Sequence, residues 1–179
     1  AGFMSATQFT KLAALVLDRY TFVADQFENP NNADWAVNAL APLNADTINN
    51  GLPVRQFDSA VAEGVGFTVE VPNGASNMTV RVRSRRQTGG AAQNALLNIY
   101  ERGLPDNAPV DAWSAPVALG TIALPTNINY QTDSFTLTLA VLGLTAGQVH
   151  QLEITRNAPA GGDTLVGDLT LHSIVVEFT

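Results

Sequence analysis

Two histidines, His150 and His172, are the side chains best suited to metal binding or proton transfer, and the chain has no others. Each lies in a segment with strand-like alternation, so the rings would meet only if those strands are neighbours. A metal site also needs a third ligand at suitable spacing, and none of the usual ligand patterns is present. We therefore interpret both as strand histidines that are hydrogen-bonded or partly exposed, and expect no bound metal.

Hydrolysis would require an activated nucleophile or a pair of carboxylates. The chain has no cysteine and no Gly-x-Ser-x-Gly elbow. Asp163 and Asp168 lie in a glycine-rich loop and would suit a glycosidase only if they stood about 5–9.5 Å apart across a sugar cleft. Their oxygens also suit calcium, but such acids more often cap turns by bonding to backbone. We favour turn capping, leave calcium open, and predict a protein that is not an enzyme and has no cofactor.

An arginine cluster is the densest group of charge in the chain, formed by Arg81, Arg83, Arg85 and Arg86. If the strand here continues to Arg85, alternation places Arg81, Arg83 and Arg85 on one face. Guanidinium forks bind carboxylates and phosphates, so the cluster is a candidate docking surface for an acidic partner or a sugar acid. The alternative, which we favour, is a solvated outer face balanced by acids such as Glu70 on the preceding strand.

Three aromatic residues, Tyr100, Trp113 and Tyr130, are candidates for a platform on which a sugar could stack. Trp113 lies in a loop bounded by proline, residues 105–116, where an aromatic side chain can be exposed. The same tryptophan could instead plug the open end of a sandwich. We favour the plug, because large aromatic side chains are usually well buried.

The composition excludes two classes of partner. Net charge is −7 over 179 residues, so the chain as a whole lacks the basic field that nucleic-acid binding needs. No apolar run approaches the roughly 18 residues of a membrane span, and we expect no membrane insertion. Only 14% of the residues are charged, against about 25% in an average soluble domain. Polar uncharged residues must therefore supply the surface, as is typical of antiparallel sheets with polar turns.

The N-terminal residues predict an arm outside the main domain. Residues 1–3 precede Met4 and are interpreted as an expression remnant, and no signal peptide is visible. In residues 4–24 an apolar stripe with helical spacing predicts an α-helix, although residues 16–23 are also rich in β-branched and aromatic types and would suit a strand. We expect this stripe to mediate docking or self-association; it consists of Phe9, Leu12, Val16, Leu17 and Tyr20.

Residues 25–179 read as one β-sandwich domain. After a short strand at 34–40, period-two alternation recurs between glycine, proline and asparagine turns, which predicts seven to nine antiparallel strands and a sandwich of jelly-roll type. The main segments are 54–57, 66–71, 77–84, 94–101, 117–124, 134–140, 149–156 and 168–178, with a bulge expected near Ser173 where the apolar face switches. The predicted core contains Phe67, Val69, Val80, Val82, Leu137, Leu139, Leu152, Ile154 and Val176.

Several short blocks together resemble a known group of proteins. They are ENPNNADWAVN at 28–38, EGVGF at 63–67 leading to Val71-Pro72, LTAG at 144–147, EITR at 153–156, GDTLVGD at 162–168 and VEF at 176–178. These blocks resemble small, poorly characterised proteins of tailed bacteriophages and related environmental viruses, over most of the chain after about Asp25. The resemblance implies a component of the virus particle and brings no catalytic motif or binding residue with it.

Two functional hypotheses follow. The first is a non-catalytic virion module, a capsid decoration or a tail or fibre component, assembled in the host cytoplasm and carried on the extracellular particle. Its partners would be other virion proteins and itself, as a homo-oligomer in which the viral resemblance favours a trimer. The alternative is a carbohydrate- or receptor-binding tip domain of a phage tail fibre, which would use the aromatic residues and the arginine cluster on a surface glycan.

Overall fold

The computed structural model describes residues 18–27, 39–40, 43–45, 51–60, 63–106, 108–156 and 161–179. In these residues the chain forms two β-sheets and one short helix. The strands are β1 Asp18–Val23, β2 Ala39–Leu40, β3 Leu43–Ala45, β4 Pro53–Phe57, β5 Glu63–Glu70, β6 Asn77–Arg86, β7 Gln93–Gly103, β8 Val117–Leu124, β9 Gln131–Thr138, β10 Val149–Arg156 and β11 Leu169–Phe178, and the helix is α1 Leu139–Leu142. No helix in the described ranges is long and apolar enough to cross a membrane.

The two sheets face each other across one apolar core. Sheet 1 has the strand order β3-β4-β11-β6-β9, with β1 also paired to β11, and sheet 2 has the order β2-β5-β10-β7-β8. All the described pairs are antiparallel except the two-residue contact between β2 and β5. The strand pattern is therefore the antiparallel β-sandwich that the sequence predicts.

Side-chain alternation fills the space between the sheets with the predicted core residues. Phe67, Val80 and Leu152 are completely buried, and the other predicted members are buried as well, with one exception. Leu137 is only partly buried, because β9 is the last strand of sheet 1 and packs at the margin of the core. The inward and outward residues of each central strand are therefore assigned correctly from sequence.

The strand predicted at 134–140 ends earlier than expected. β9 stops at Thr138, whose Oγ1 accepts a hydrogen bond from the backbone N–H of Val141 and caps α1. Leu139 is buried, but in the helix. Gly143 ends the helix at φ 77°, a left-handed conformation that glycine adopts without steric cost.

For residues 18–23 the strand alternative is confirmed and the favoured helix is wrong: they form β1 along the second half of β11. Tyr20 packs edge-on against Phe178, with ring centroids 6.3 Å apart, and its hydroxyl donates to the carbonyl of Glu70. Tyr20 is thus part of the sandwich rather than of an arm, because the alternating β-branched and aromatic side chains here suit a pleated sheet. The other arm residues, Phe9, Leu12, Val16 and Leu17, lie outside the described residues.

The bulge expected near Ser173 is confirmed. The pairing of β11 with β6 shifts register between Leu171 and Ser173, so that His172 is the extra residue. The shift returns Ile174 to the core face. The switch of apolar face in the sequence therefore has a local backbone cause.

Candidate functional site

The face of sheet 2 that points away from the core carries a row of polar side chains across β7 and β10. On this face Tyr100 is opposite Glu153, and Arg102 is opposite Gln151. The Arg102 Nε donates to the Gln151 Oε1 at 2.8 Å. Strand β7 runs to Gly103, two residues beyond its predicted end, and this extension brings Arg102 onto the same face as Tyr100.

The connection from β7 to β8 folds back along the end of β7 and positions Trp113. The backbone N–H of Asp111 donates to the carbonyl of Gly103 at 3.1 Å, and that of Ser114 to the carbonyl of Glu101 at 2.8 Å. A Cβ at residue 103 would meet the Asp111 carboxylate, so the glycine leaves room for this close approach. These contacts hold the segment that contains Trp113 against β7.

Trp113 lies over Arg102, with 4.7 Å between the guanidinium carbon and the centroid of the indole. This cation–π contact is made on the outer side of sheet 2, so the favoured interpretation of Trp113 as a plug for the end of the sandwich is corrected. Trp113 is placed there because the backbone of its loop is hydrogen-bonded to β7, a pairing that no local sequence pattern predicts. We call the group formed by Tyr100, Arg102, Trp113, Gln151 and Glu153 the β7–β10 face. Gln151 and Glu153 are buried within it, at 8% and 2% exposure, whereas Tyr100, Arg102 and Trp113 are partly exposed.

A recess of about 430 Å³ opens beside Trp113 on the β7–β10 face. Its lining combines apolar and charged side chains, and Val110 within it is 52% exposed. The lining residues are Arg102, Val110, Asp111, Ala112 and Trp113. Such a mixture of an aromatic ring, an aliphatic side chain and directed polar groups is typical of sites for small, partly polar ligands.

Tyr130 lies on sheet 1, away from the other two aromatic candidates. Its ring centroid is 5.4 Å from the guanidinium carbon of Arg83 and 5.6 Å from that of Arg85, and the ring of His172 meets it edge-on at 5.6 Å. The three-residue aromatic platform is therefore corrected: Tyr100 and Trp113 share a face of sheet 2, whereas Tyr130 packs on arginines.

The arginine cluster divides into exposed and buried members. Arg81 is half-exposed and pairs with Glu177 at 2.7 Å, and Arg83 is exposed. Arg85 is only 2% exposed, so the expectation of a solvated stripe fails for this member; Arg86, which alternation places on the other face, is buried as well, at 3%. They donate to backbone carbonyls of the turn that follows β6, which explains why they can be buried at the end of the strand.

The two histidines are in different sheets and both are hydrogen-bonded. The Nε2 of His150 accepts from the backbone N–H of Thr145 and its Nδ1 is 3.1 Å from the Glu101 Oε2, so the proton is placed on Nδ1. His172 Nδ1 is 3.2 Å from the Ser173 hydroxyl. Within the described ranges no three His, Asp or Glu side chains are grouped so as to hold a metal ion.

The paired acids of the glycine-rich loop have separate environments. The carboxylate of Asp163 is held by Arg156 and also accepts from the backbone N–H of Leu165, as expected for a turn cap. Burial, followed by the charge of Asp58, raises the pKa of Asp168, whereas Arg156 acts in the opposite direction. The Asp163 carboxylate is thus engaged in internal contacts.

Three residues of the β7–β10 face, Arg102, Gln151 and Glu153, were not singled out as site residues from the sequence. The alternation of 149–156 already placed Gln151 outward, and an alternation extended past Glu101 would have placed Arg102 outward too. What no single sequence reveals is that β7 and β10 are neighbours, since they are separated along the chain by β8, β9 and α1.

The fold is similar to that of solved carbohydrate-binding modules, while no protein-family model and no curated sequence matches the chain. A family 35 carbohydrate-binding module from an environmental isolate is 15% identical with a TM-score of 0.50, over 88% of this chain and 91% of that one. A GH26-CBM35 β-(1,4)-mannanase from Podospora anserina is 12% identical with a TM-score of 0.49; the match covers 91% of this chain but only 28% of the mannanase. A family 35 module from Cellvibrio japonicus is 12% identical with a TM-score of 0.45, over 89% and 92% of the two chains. The fold is thereby confirmed as an antiparallel β-sandwich of jelly-roll type.

Proposed function

We propose that this chain is a non-catalytic carbohydrate-binding domain that holds a glycan against Trp113 on the β7–β10 face. The observation that carries the proposal is the contact of Trp113 with Arg102 beside an open recess. A pyranose ring presents C–H groups on its faces and hydroxyls around its rim. An indole supplies a large apolar surface for the former, and a guanidinium supplies hydrogen-bond donors for the latter.

The fixed position of the Arg102 side chain also supports ligand binding. Arg102 is fixed from two sides, by the indole and by Gln151, so its donors are already oriented before a ligand arrives. Side chains that are held in place lose less conformational entropy on binding. Tyr100, two residues before Arg102 on the same strand, extends the polar row along the direction of β7.

The proposal is tested by screening the protein on an array of neutral and acidic plant, microbial and animal glycans, followed by titration of the glycan with the strongest signal. Trp113→Ala is expected to weaken binding by about 30-fold, as for loss of an aromatic hot spot of about 2 kcal/mol. Arg102→Gln should also weaken binding, whereas Arg81→Gln, an arginine on the other sheet, should not. An unchanged affinity in Trp113→Ala, or no glycan bound by the wild-type protein, contradicts the proposal.

The absence of catalysis is part of the proposal. Among the described residues that line the recess, Asp111 is the single carboxylate, so a pair of carboxylates is lacking there. We expect the glycan that binds to be recovered intact after prolonged incubation. Release of new reducing ends by the wild-type protein, lost in an Asp111→Asn variant, would show an enzyme instead.

The placement of this domain on a virus particle, and with it the capsid-decoration hypothesis, stays a prediction from the sequence resemblance. A glycan-binding face would serve a tail-fibre tip that recognises a host surface. Immunogold labelling of intact particles checks this placement. The glycan proposal does not depend on its outcome.

A further inference from the structure

We propose that the outer face of sheet 1 carries a second binding site, which takes a single carboxylate or sulfate group of an acidic glycan. The site consists of Arg83, Arg85, Tyr130, His172 and Ser173 and is called here the Arg83 site. That the anion belongs to a glycan rests on the proposed function. The affinity for the anion itself rests on the geometry of these residues alone.

Strand pairing brings the components of the Arg83 site together. Arg83 and Arg85 lie two residues apart on β6 and therefore share a face, with Ser173 opposite Arg83 on β11. The bulge in β11 adds His172 to the same neighbourhood, where its ring meets Tyr130. Tyr130, just before β9, lies against both guanidiniums, at 5.4 Å and 5.6 Å.

Charge on this face is unequally compensated. Glu177 is engaged by Arg81 at 2.7 Å and by Arg19 at 3.7 Å. In the described ranges no carboxylate lies within ion-pair distance of Arg83, whose guanidinium lies over the ring of Tyr130. A π-face orients a guanidinium without neutralising it, so Arg83 keeps a full positive charge and its exposed donors.

Arg85 is the buried cation of the Arg83 site. It is 2% exposed, and its Nη1 donates to the carbonyls of Arg86 and Gln87. Its guanidinium is fixed 5.6 Å from the centroid of the Tyr130 ring, in surroundings less polar than water, where electrostatic interactions are stronger. Arg85 thus adds a second guanidinium to the neighbourhood of Arg83 and Tyr130.

The chemistry of the ligand follows from the number and spacing of these charges. A guanidinium with its plane held by an aromatic ring is suited to two oxygens of a carboxylate or a sulfate. The whole chain has a net charge of −7, which disfavours dense polyanions such as nucleic acid. Isolated charges along a neutral chain, as in glycans with uronic acids or sulfate esters, fit this combination better.

The test uses the full chain and two small probes, sodium sulfate and sodium acetate, with the side-chain Nε–Hε signals of the arginines followed by NMR. We expect either probe to shift the Arg83 signal more than the Arg81 signal, at constant ionic strength. Trp113→Ala should leave these shifts unchanged, which separates a failure of this site from a failure of the proposed function. Equal shifts at Arg81 and Arg83, or none, overturn the Arg83 site.

The source of the anion is tested with an oligogalacturonate, a sulfated galactan oligosaccharide and a single-stranded DNA oligonucleotide. Arg83→Gln should weaken binding of one of the two saccharides by about tenfold, as for loss of a charge-assisted hydrogen bond. Arg83→Lys should lose part of this affinity, because it keeps the charge without the fork, and the matched Arg81→Gln should lose none. Arg83-dependent binding of the DNA, with neither saccharide bound, overturns the assignment to glycans.

Discussion

Arg156 and Asp163 form a buried two-point ion pair at one end of the sandwich, with distances of 2.8 Å from Nη2 to Oδ1 and 3.0 Å from Nε to Oδ2. The arginine side chain is fully buried and the carboxylate is 3% exposed. The remaining donors of Arg156 reach the carbonyls of Leu165 and Gly167. The pair therefore fixes the loop that leads into β11, and through it the central strand of sheet 1.

Removing one partner of this pair should be costly. Asp163→Asn leaves a buried guanidinium without its counter-charge, and we expect the free energy of unfolding to fall by about 3–5 kcal/mol. Urea denaturation measures the loss. Asp106→Asn, at an exposed position, is the control and should change stability by less than about 0.5 kcal/mol. Similar losses in both variants would show that the ion pair has no special role.

Two leucines of the predicted core should differ in their contribution to stability. Leu152 is fully buried in β10, whereas Leu137 is partly buried in β9. We expect Leu152→Ala to cost about 2–5 kcal/mol and Leu137→Ala clearly less, since fewer contacts are lost and solvent can fill the gap. Chemical denaturation of both variants is the measurement. An equal or larger cost at Leu137 would contradict the packing of β9 at the margin.

The free energy of unfolding should depend on pH through Glu63 and Asp168, two acids close to Arg156. Burial raises the pKa of Glu63 above 4.5, although the backbone N–H of Asp58 works against this, and burial also raises that of Asp168 above 3.8. The folded state therefore binds more protons than the unfolded state just above these values. The contribution of these two carboxyl groups to the free energy of unfolding must accordingly fall as the pH rises from their unperturbed pKa values through their raised ones.

Asp168→Asn isolates this effect, because the amide cannot ionise. Its stability relative to the wild type should be near constant below pH 3.8, the unperturbed value, and should increase at higher pH. The difference in unfolding free energy, measured by urea titration at several pH values, reports it. A difference that decreases with rising pH would mean that the carboxylate is stabilised rather than destabilised in its charged form.

The N-terminal arm is predicted to drive self-association, with a trimer favoured. Because β1 belongs to sheet 1, the informative truncation begins at Asp18. It removes residues 1–17, which include the stripe residues Phe9, Leu12, Val16 and Leu17, and keeps Tyr20. Light scattering coupled to size exclusion should give a trimer for the full chain and a monomer for the truncated chain. A monomeric full chain at tens of micromolar would exclude the arm as an oligomerisation element. A truncation at Asp25 should instead destabilise the fold, since it deletes β1.

The sequence predicts the strands well because their alternation is a local property. The segments 77–84 and 149–156, the core faces and the bulge near Ser173 all follow from period two and turn residues. The failure at residues 18–23 has the opposite cause: a helical stripe and a strand pattern overlapped, and pairing with the distant β11 decided between them. Propensity alone does not resolve such an overlap.

The candidate site was predictable only in part. Tyr100 and Trp113 were chosen for their chemistry, but their grouping depends on neighbours that are far apart in sequence. Tyr130 had the same chemistry and was separated from them by strand order. Arg85 and Arg86 carried the same charge as Arg83, yet the turn after β6 offered them carbonyls and buried them. Residue type indicates what a site could bind, and topology decides which residues share one.

Binding of a glycan beside Trp113 can be followed by fluorine NMR of protein labelled with 5-fluorotryptophan. The chain contains two tryptophans, so the spectrum has two signals, and Trp113→Phe assigns them. Addition of the glycan identified on the array should shift or broaden the Trp113 signal in proportion to the bound fraction, with the Arg81→Gln variant behaving as the wild type. A glycan that binds and leaves the Trp113 signal unchanged would show that it binds elsewhere than on the β7–β10 face.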